Sequence, residues 1–244
     1  MISHSIFVGL PTYGGHESMG LPGFESPSAR HRTVSLPRRD SQVAKNFNEL
    51  LAQCHNWNID HAEGKGGPGP FTCFAMLHSD IEAPAGWLDT LADEMERLQA
   101  DVVSNVVLMK DERRLTSTAA RCGYGISNLS EAEVQQLPES FMAEDLRSLL
   151  RLKWEKDLGL LINTGCMLLR LGAWVHKFPG FQYVDRILHQ EDGRMSVRSI
   201  AEDWGFSVWA AEQGLKIAAT RKVALGHWGI KRYALADKYA LGQK

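Results

Sequence analysis

Thr72-Cys73-Phe74-Ala75-Met76-Leu77-His78-Ser79-Asp80-Ile81-Glu82 is the stretch on which the fold reading turns. Its first half is a short apolar run of strand length with no polar alternation, so it reads as a strand buried on both faces. Its second half is abruptly polar. In open α/β sheets, ligands bind at the carboxyl ends of strands, and His78, Ser79 and Asp80 stand at such an end. Working outward toward the N-terminus, residues 5–10 form a second buried strand, closed by Pro11 and followed by Thr12 and Tyr13. Between the two strands, Val43, Phe47, Leu50, Leu51 and Cys54 fall at helical spacing, with Asp40 or Ser41 as the expected cap. On the C-terminal side a helix is expected over about 84–99, with Leu88, Leu91, Met95 and Leu98 on its apolar face. Residues 101–109 (DVVSNVVLM) follow as a third strand. Strand, helix, strand, helix, strand in that order predicts an α/β layer with parallel strands.

The connections carry polar groups of their own. Residues 11–39 are rich in Gly, Pro and Ser and are expected to form a long loop, which holds the densest basic cluster: Arg30, His31, Arg32, Arg38 and Arg39. Residues 61–70 form another loop. Its Gly64-Lys65-Gly66 lacks the spacing of a phosphate-binding loop. Farther on, 121–127 reads as a strand and Ser130 with Glu133 as a capping box. Residues 139–157 read as a polar helix, and 180–198 have no clear pattern. Residues 202–213 form a helix ended by Gly214, and 215–220 and 223–225 are short strands, the second running into His227.

Composition limits the class of protein. With 44% hydrophobic and 23% charged residues, the 244-residue chain is neither mainly disordered nor collagen-like. Its 27 Lys and Arg nearly cancel its 29 Asp and Glu, leaving a formal charge of −2, which argues against a protein built to coat nucleic acid. Cys54, Cys73, Cys122 and Cys166 include no CxxC pair, so zinc ribbons and thioredoxin-type chemistry have no support. The start lacks a signal peptide's apolar core. The longest apolar run, Phe71–Leu77 apart from Thr72, is seven residues, against roughly 20 for a membrane helix. A cytoplasmic protein with reduced core thiols and no membrane span is expected.

Taken one at a time, the polar clusters have plain explanations. Asp80 could cap the following helix, and His227 could be a satisfied core histidine. Glu202 and Asp203 open a helix, where the positive end of the macrodipole favours carboxylates. Their chemical potential lies in combination. A carboxylate and an imidazole meeting at strand ends suit a divalent cation. A carboxylate at a helix start can deprotonate a hydroxyl.

In their order, four segments resemble the GT-A-type nucleotide-sugar glycosyltransferases, especially bacterial and phage members related to glycosyltransferase family 2. Ile6-Phe7-Val8-Gly9-Leu10-Pro11-Thr12-Tyr13 looks like the opening strand and nucleotide loop. Phe74-Ala75-Met76-Leu77-His78-Ser79-Asp80-Ile81 looks like the strand running into the DxD motif. Ala201-Glu202-Asp203-Trp204-Gly205-Phe206, followed by Glu212-Gln213-Gly214-Leu215-Lys216-Ile217, looks like the acidic motif with its helix and strand. Leu225-Gly226-His227-Trp228-Gly229 looks like the closing metal-histidine segment.

The resemblance implies a single domain over 1–244 with a GT-A-like, Rossmann-related mixed sheet, mainly parallel and flanked by helices. About 1–110 would be the nucleotide-binding half and about 111–244 the acceptor-binding half. It implies transfer of a sugar from a UDP-sugar donor to an acceptor hydroxyl, with Mn²⁺ or Mg²⁺. Asp80 and His227 would ligate the metal, joined by Glu82 or His78. The triplet is either His78-Ser79-Asp80, a histidine replacing the family's first acid, or Asp80-Ile81-Glu82. In the first register His78 meets the ribose or the metal. Pro11, Thr12 and Tyr13 would flank the base, Tyr13 stacking on it. Asn163 and Gly165 would border the donor sugar. Asp203 would be the base of an inverting enzyme, Glu202 a supporting acid, and Trp204 either an acceptor-stacking or a core residue. Arg30, Arg32, Arg38 and Arg39 would either contact diphosphate or an anionic acceptor, or form a solvated basic loop. The acceptor class stays open between a glycan, a small molecule and a modified DNA base, as does a non-catalytic nucleotide- or sugar-binding domain. A sugar-nucleotide pyrophosphorylase is disfavoured, because no GxGTR-like loop follows the first strand.

Overall fold

Apolar residues on both faces of the same strands force helices onto both faces of a sheet, and the chain folds that way. The computed structural model describes residues 3–12, 21–123, 125–149, 158–189, 192–229 and 232–235. In chain order the elements are β1 (Ser5–Thr12), α1 (Leu21–Glu25), β2 (Arg32–Arg39), α2 (Val43–Ala62), β3 (Cys73–Leu77), β4 (Ile81–Glu82), α3 (Trp87–Leu98) and β5 (Val102–Asn105). There follow β6 (Leu115–Cys122), β7 (Gly125–Ser130), α4 (Glu131–Gln136), β8 (Ser140–Met142), α5 (Ala143–Leu149), β9 (Leu158–Leu161) and β10 (Cys166–Arg170). A 3₁₀ turn (Ala173–Lys177), β11 (Val184–His189), β12 (Met195–Ile200), α6 (Glu202–Glu212), β13 (Ile217–Thr220), β14 (Gly226–Trp228) and β15 (Arg232–Tyr233) complete the order.

The main sheet has seven strands in the order β2-β1-β3-β10-β5-β13-β8. Pairings β1–β2, β1–β3 and β5–β13 are parallel, while β10 runs against both neighbours and β8 against β13. The sheet is therefore mixed and mainly parallel. Alternation along each strand sorts the core onto two faces. Phe7, Phe74, Met76, Val102, Met167 and Leu169 pack with Phe47, Leu50 and Cys54 of α2. Ile6, Val8, Ala75, Leu77, Val103 and Leu168 pack with Leu88, Leu91 and Met95 of α3. The second half of the chain is threaded into the first, since β10 lies between β3 and β5. Three small sheets, β7-β6-β9, β11-β12 and β15-β14-β4, flank the main one.

Several expectations need correction. The layer is not wholly parallel, because β10 and β8 are reversed. The segment read as loop over 11–39 contains the edge strand β2, whose polar, outward residues hid a strand that pairs along its whole length with β1. The single strand over 121–127 is the tip of the hairpin β6–β7, and 139–149 opens with β8 before α5. The strand placed at 223–225 lies instead at Gly226–Trp228. Gln42, not Asp40 or Ser41, stands at the start of α2, where Asp40 Oδ1 accepts from its backbone N–H at 3.0 Å. The capping box of Ser130 and Glu133 is present, and Gly214 follows α6 with a φ of 76°. Residues 150–157 of the expected polar helix lie outside the described residues, as does Tyr13. No helix among the described residues is long and apolar enough to cross a membrane. Cys54, Cys73 and Cys166 are buried free thiols, and burial pushes the Cys54 thiol up to about 12.

Leu168 is fully buried in the reversed central strand. Leu168→Ala is expected to lower the unfolding free energy by about 2–5 kcal/mol. The measurement is a shift of the urea midpoint at unchanged slope. A loss below about 0.5 kcal/mol, the size of a surface change, would show that β10 is not part of the cooperative core.

Candidate active site

The carboxyl ends of β1, β3, β5 and β13 lie along one edge of the sheet. Because β10 is antiparallel, its entry segment Asn163-Thr164-Gly165 reaches the same edge. Cys166 pairs with Leu77, and the Gly165 carbonyl accepts from the His78 backbone N–H at 2.8 Å. The His78 ring lies against Phe47, with 4.9 Å between centroids, and its Nε2 is 3.4 Å from the Thr164 hydroxyl. Burial pushes the His78 imidazole down to about 4, so it is neutral at pH 7 despite the opposite pull of Asp80. The turn is further tied to β1, whose Pro11 carbonyl accepts from the Ser79 N–H at 3.3 Å.

Asp80 is 5% exposed. Its carboxylate sits between two cationic or basic groups. Lys110 Nζ forms an ion pair with Oδ2, and His227 Nε2 is 3.7 Å from the same oxygen. Burial alone would raise this carboxyl. His227, His78 and Lys110 together outweigh it and hold the group well below the usual carboxylate range. The second oxygen, Oδ1, is buried and accepts no hydrogen bond. A buried, ionised oxygen without a donor is costly, and it marks a place for a donor or a cation. On His227, Nδ1 lies 2.7 Å from the Leu108 carbonyl. A carbonyl only accepts, so Nδ1 is the donor there and Nε2 is the ring atom that faces Asp80. The Trp228 N–H donates to the Asp80 carbonyl at 2.8 Å and holds the two loops together.

Glu82 does not join this group. Its Oε2 accepts from Trp228 Nε1 at 3.0 Å and from Arg232 Nε at 2.7 Å, and the Arg232 bond lowers its pKa. Among the described residues no three His, Cys, Asp or Glu side chains cluster as a metal group.

A polar network supports the edge from beneath. Asn163 Oδ1 accepts from the Gly165 N–H at 3.0 Å, and Asn163 Nδ2 donates to the Asn105 carbonyl at 2.9 Å. Ser104 Oγ donates to the Asn163 carbonyl at 2.7 Å. Asn105 in turn clamps Val223, donating to its carbonyl at 3.0 Å and accepting from its N–H at 3.2 Å. On the far side Asn46 of α2 donates to the Thr12 and Asp40 carbonyls.

Glu202 and Asp203 form a second acidic pair at the start of α6. The helix is moored to the same entry segment, since Ser207 Oγ accepts from the Ile162 N–H at 3.0 Å and donates to the Asp203 carbonyl at 2.8 Å. Trp204 Nε1 donates to the Ser117 carbonyl at 3.0 Å, fixing the helix start to β6 and giving its indole a packing anchor. Glu202 is 8% exposed, and its Oε2 accepts no hydrogen bond. Burial raises its pKa against the opposing bond from Tyr183. Burial and then the Glu202 charge push the Asp203 carboxyl up from 3.8 to about 7. Of the basic cluster, Arg30 pairs with Asp93 at 2.8 Å and Arg38 with Glu49 at 2.5 Å, while Arg32 donates to the Pro68 and Gly69 carbonyls. Arg32 lies opposite Ser5, at the other edge of the sheet from Asp80.

Lys110 and Asn105, the partner of Asn163, were not singled out from the sequence. Lys110 is the first charged residue after the apolar run that begins at Val102, and the strand-end rule that flagged Asp80 applies to it equally.

No family model matches this chain, and no curated protein matches it. Among solved structures, the crystal structure of A197 from STIV aligns over 95% of this chain and 90% of that chain, with 14% identity and a TM-score of 0.48.

Asp203 provides a test by itself. Its folded-state pKa lies above the unfolded value, so this group costs stability progressively as pH rises from about 4 to about 7. Asp203→Asn is therefore expected to gain melting temperature relative to the parent chain between about pH 5 and about pH 8. A difference in melting temperature that is constant over that range would refute the raised pKa.

Proposed function

We propose that the protein is a metal-assisted glycosyltransferase that moves a sugar from a nucleotide-sugar donor, a UDP-sugar, to an acceptor hydroxyl. The observation that carries this reading is the buried Asp80 carboxylate at the sheet's ligand-binding edge, with one oxygen unpartnered and His227 Nε2 3.7 Å from the other. Those donors fit a divalent cation. Mg²⁺ is commonly held by one or two carboxylates plus substrate phosphates and water, and a mixed oxygen and nitrogen set suits Mn²⁺. Asp80 and His227 are the residues that would hold it. Bound there, it would neutralise charge on the diphosphate leaving group. Glu82, engaged by Arg232 and Trp228, favours the His78-Ser79-Asp80 register over the alternative.

The remaining roles belong to the chain's own groups. The backbone at Pro11 and Thr12 borders the nucleotide. Neutral His78 can exchange hydrogen bonds with a ribose hydroxyl without bringing a second charge beside Asp80. The Asn163–Gly165 turn, held rigid by Asn105 and Ser104, bounds the donor sugar. Asp203, with a pKa near the working pH, is suited to take the acceptor proton as the acceptor oxygen bonds the anomeric carbon and the bond to diphosphate breaks. Glu202 stands beside it as the supporting acid, and its charge helps raise the Asp203 carboxyl. The hairpin β11–β12 leads directly into these acids and exposes Tyr183, Ile187, Met195 and Val197, an apolar arm next to the acceptor side.

UDP release from UDP-sugars with Mn²⁺ tests the reading. Asp80→Asn is expected to lose metal-dependent turnover. Asp203→Asn is expected to lose roughly 10²–10⁴-fold in transfer rate while keeping UDP affinity. The rate of the parent protein should rise with pH through about 7, because Asp203 must be ionised to accept a proton. UDP binding without turnover on glycan, small-molecule or modified-DNA acceptors would favour a non-catalytic binding domain. No UDP binding at all would sink the proposal.

A further inference from the structure

Lys110 is held at Asp80 by more than charge. It lies five residues beyond the end of β5, two residues from the carbonyl of Leu108 that orients His227. Its stem lies against Gly229, the close of the segment that carries His227. A Cβ at 229 would come within 3.1 Å of Lys110 Cδ and 3.2 Å of its Cβ. Segments following three strands, β3, β5 and β13, thus converge on one carboxylate, the last of them in β14. One segment supplies the acid, one the ammonium and one the imidazole. The ammonium takes Oδ2, and Oδ1 is left buried without a partner. Lys110 itself is about one-third exposed, so its head can swing outward while Asp80 cannot.

We propose that Lys110 is a tethered cation that holds Asp80 while the donor is absent and passes to the donor's diphosphate when a divalent metal takes the carboxylate, so that metal and nucleotide bind cooperatively. The proposal rests on the metal reading of Asp80 and His227 given above. A divalent ion at Oδ1 would stand one carboxylate's width from the ammonium on Oδ2, and the two cations repel each other. Metal arriving alone must therefore displace the ammonium, which is left without an anion. Metal arriving with a nucleoside diphosphate brings new phosphate oxygens for the lysine, whose flexible stem suits a moving point charge. The coupling is reciprocal, as linkage requires, and couplings of this kind are roughly 5–150-fold.

The test is Mn²⁺ binding followed by electron paramagnetic resonance, with and without UDP, which needs no turnover. In the parent protein, UDP is expected to tighten Mn²⁺ binding about tenfold or more. Lys110→Met is expected to tighten Mn²⁺ binding in the absence of UDP, weaken UDP binding and abolish most of the coupling. Gly229→Ala keeps the charge but crowds the stem, and should shift both quantities in the same direction. Lys45→Met, which removes the same charge from an exposed pair with Asp40, should leave both unchanged. Parent-like Mn²⁺ affinity and coupling in both Lys110→Met and Gly229→Ala would overturn the role of Lys110 and leave the metal reading standing. No Mn²⁺ binding by any of the proteins, with UDP present, would instead defeat the metal reading beneath it.

Discussion

One reversed strand at the centre of the sheet sets the geometry of everything above it. In an all-parallel layer only the loops that follow strands reach the ligand-binding edge. Here β10 enters from that edge and runs down between β3 and β5. Its entry segment is consequently placed beside the exit of β3, where Gly165 accepts the His78 N–H and Asn163 binds the exit of β5. The same segment begins at Ile162, the mooring point of α6, so the second acidic pair is positioned by the strand that positions the first. Buried amides and carbonyls away from regular ladders must find partners. The Asn105, Asn163 and Ser104 side chains supply them, which is why so much hydrogen bonding is concentrated beneath a short turn.

Upon this frame two carboxylates are driven in opposite directions. Both are largely withdrawn from water, which on its own favours the neutral acid. Asp80 has Lys110 and His227 facing it and stays ionised. Asp203 has only another acid beside it and backbone N–H groups at a helix start, and its pKa rises to about 7. Two acids separated in this way suit two tasks, one as a permanent anion and one as a group that trades a proton near neutral pH.

How much of this the sequence disclosed depended on burial. Strands with both faces covered left continuous apolar runs, and the polar residues ending those runs were legible as edge groups, hence His78 and Asp80. Helix α3 showed its face, and the capping box at Ser130 showed a chemical pattern that needs no tertiary context. Strand β2 did not show, because an edge strand exposed on its outer side is free to be polar. Its three arginines gave it the composition of a loop. The hairpins β6–β7 and β11–β12 were lost for a related reason, since their stability comes from cross-strand pairing and not from periodic burial. Lys110 stood at the end of a strand drawn to Met109, where the rule that flagged Asp80 applies to it as well. Nothing in the sequence ties it to Asp80, 30 residues away, and the contact exists because β5 ends at Asn105 and the residues after it carry Lys110 to the carboxylate.

The closing segment Leu225-Gly226-His227-Trp228-Gly229 shows why a short motif can be read correctly for one residue and missed for its neighbours. His227 is visible as a titratable group after an apolar pair. The glycines on either side are visible only as breakers, yet each makes room for an ion pair. A Cβ on Gly226 would collide with Arg232 Nε and lie 2.9 Å from Glu82 Oε2, and one on Gly229 would press on the Lys110 stem. The first space lets Arg232 take Glu82 out of the cluster, and the second lets Lys110 into it. With Glu82 withdrawn and Lys110 admitted, the balance around Asp80 is one anion facing one ammonium and one imidazole. A bare pair of acids would attract a metal ion with or without nucleotide. One acid already matched by a lysine gives up its place most readily when a second anion arrives to receive that lysine, and a diphosphate is such an anion.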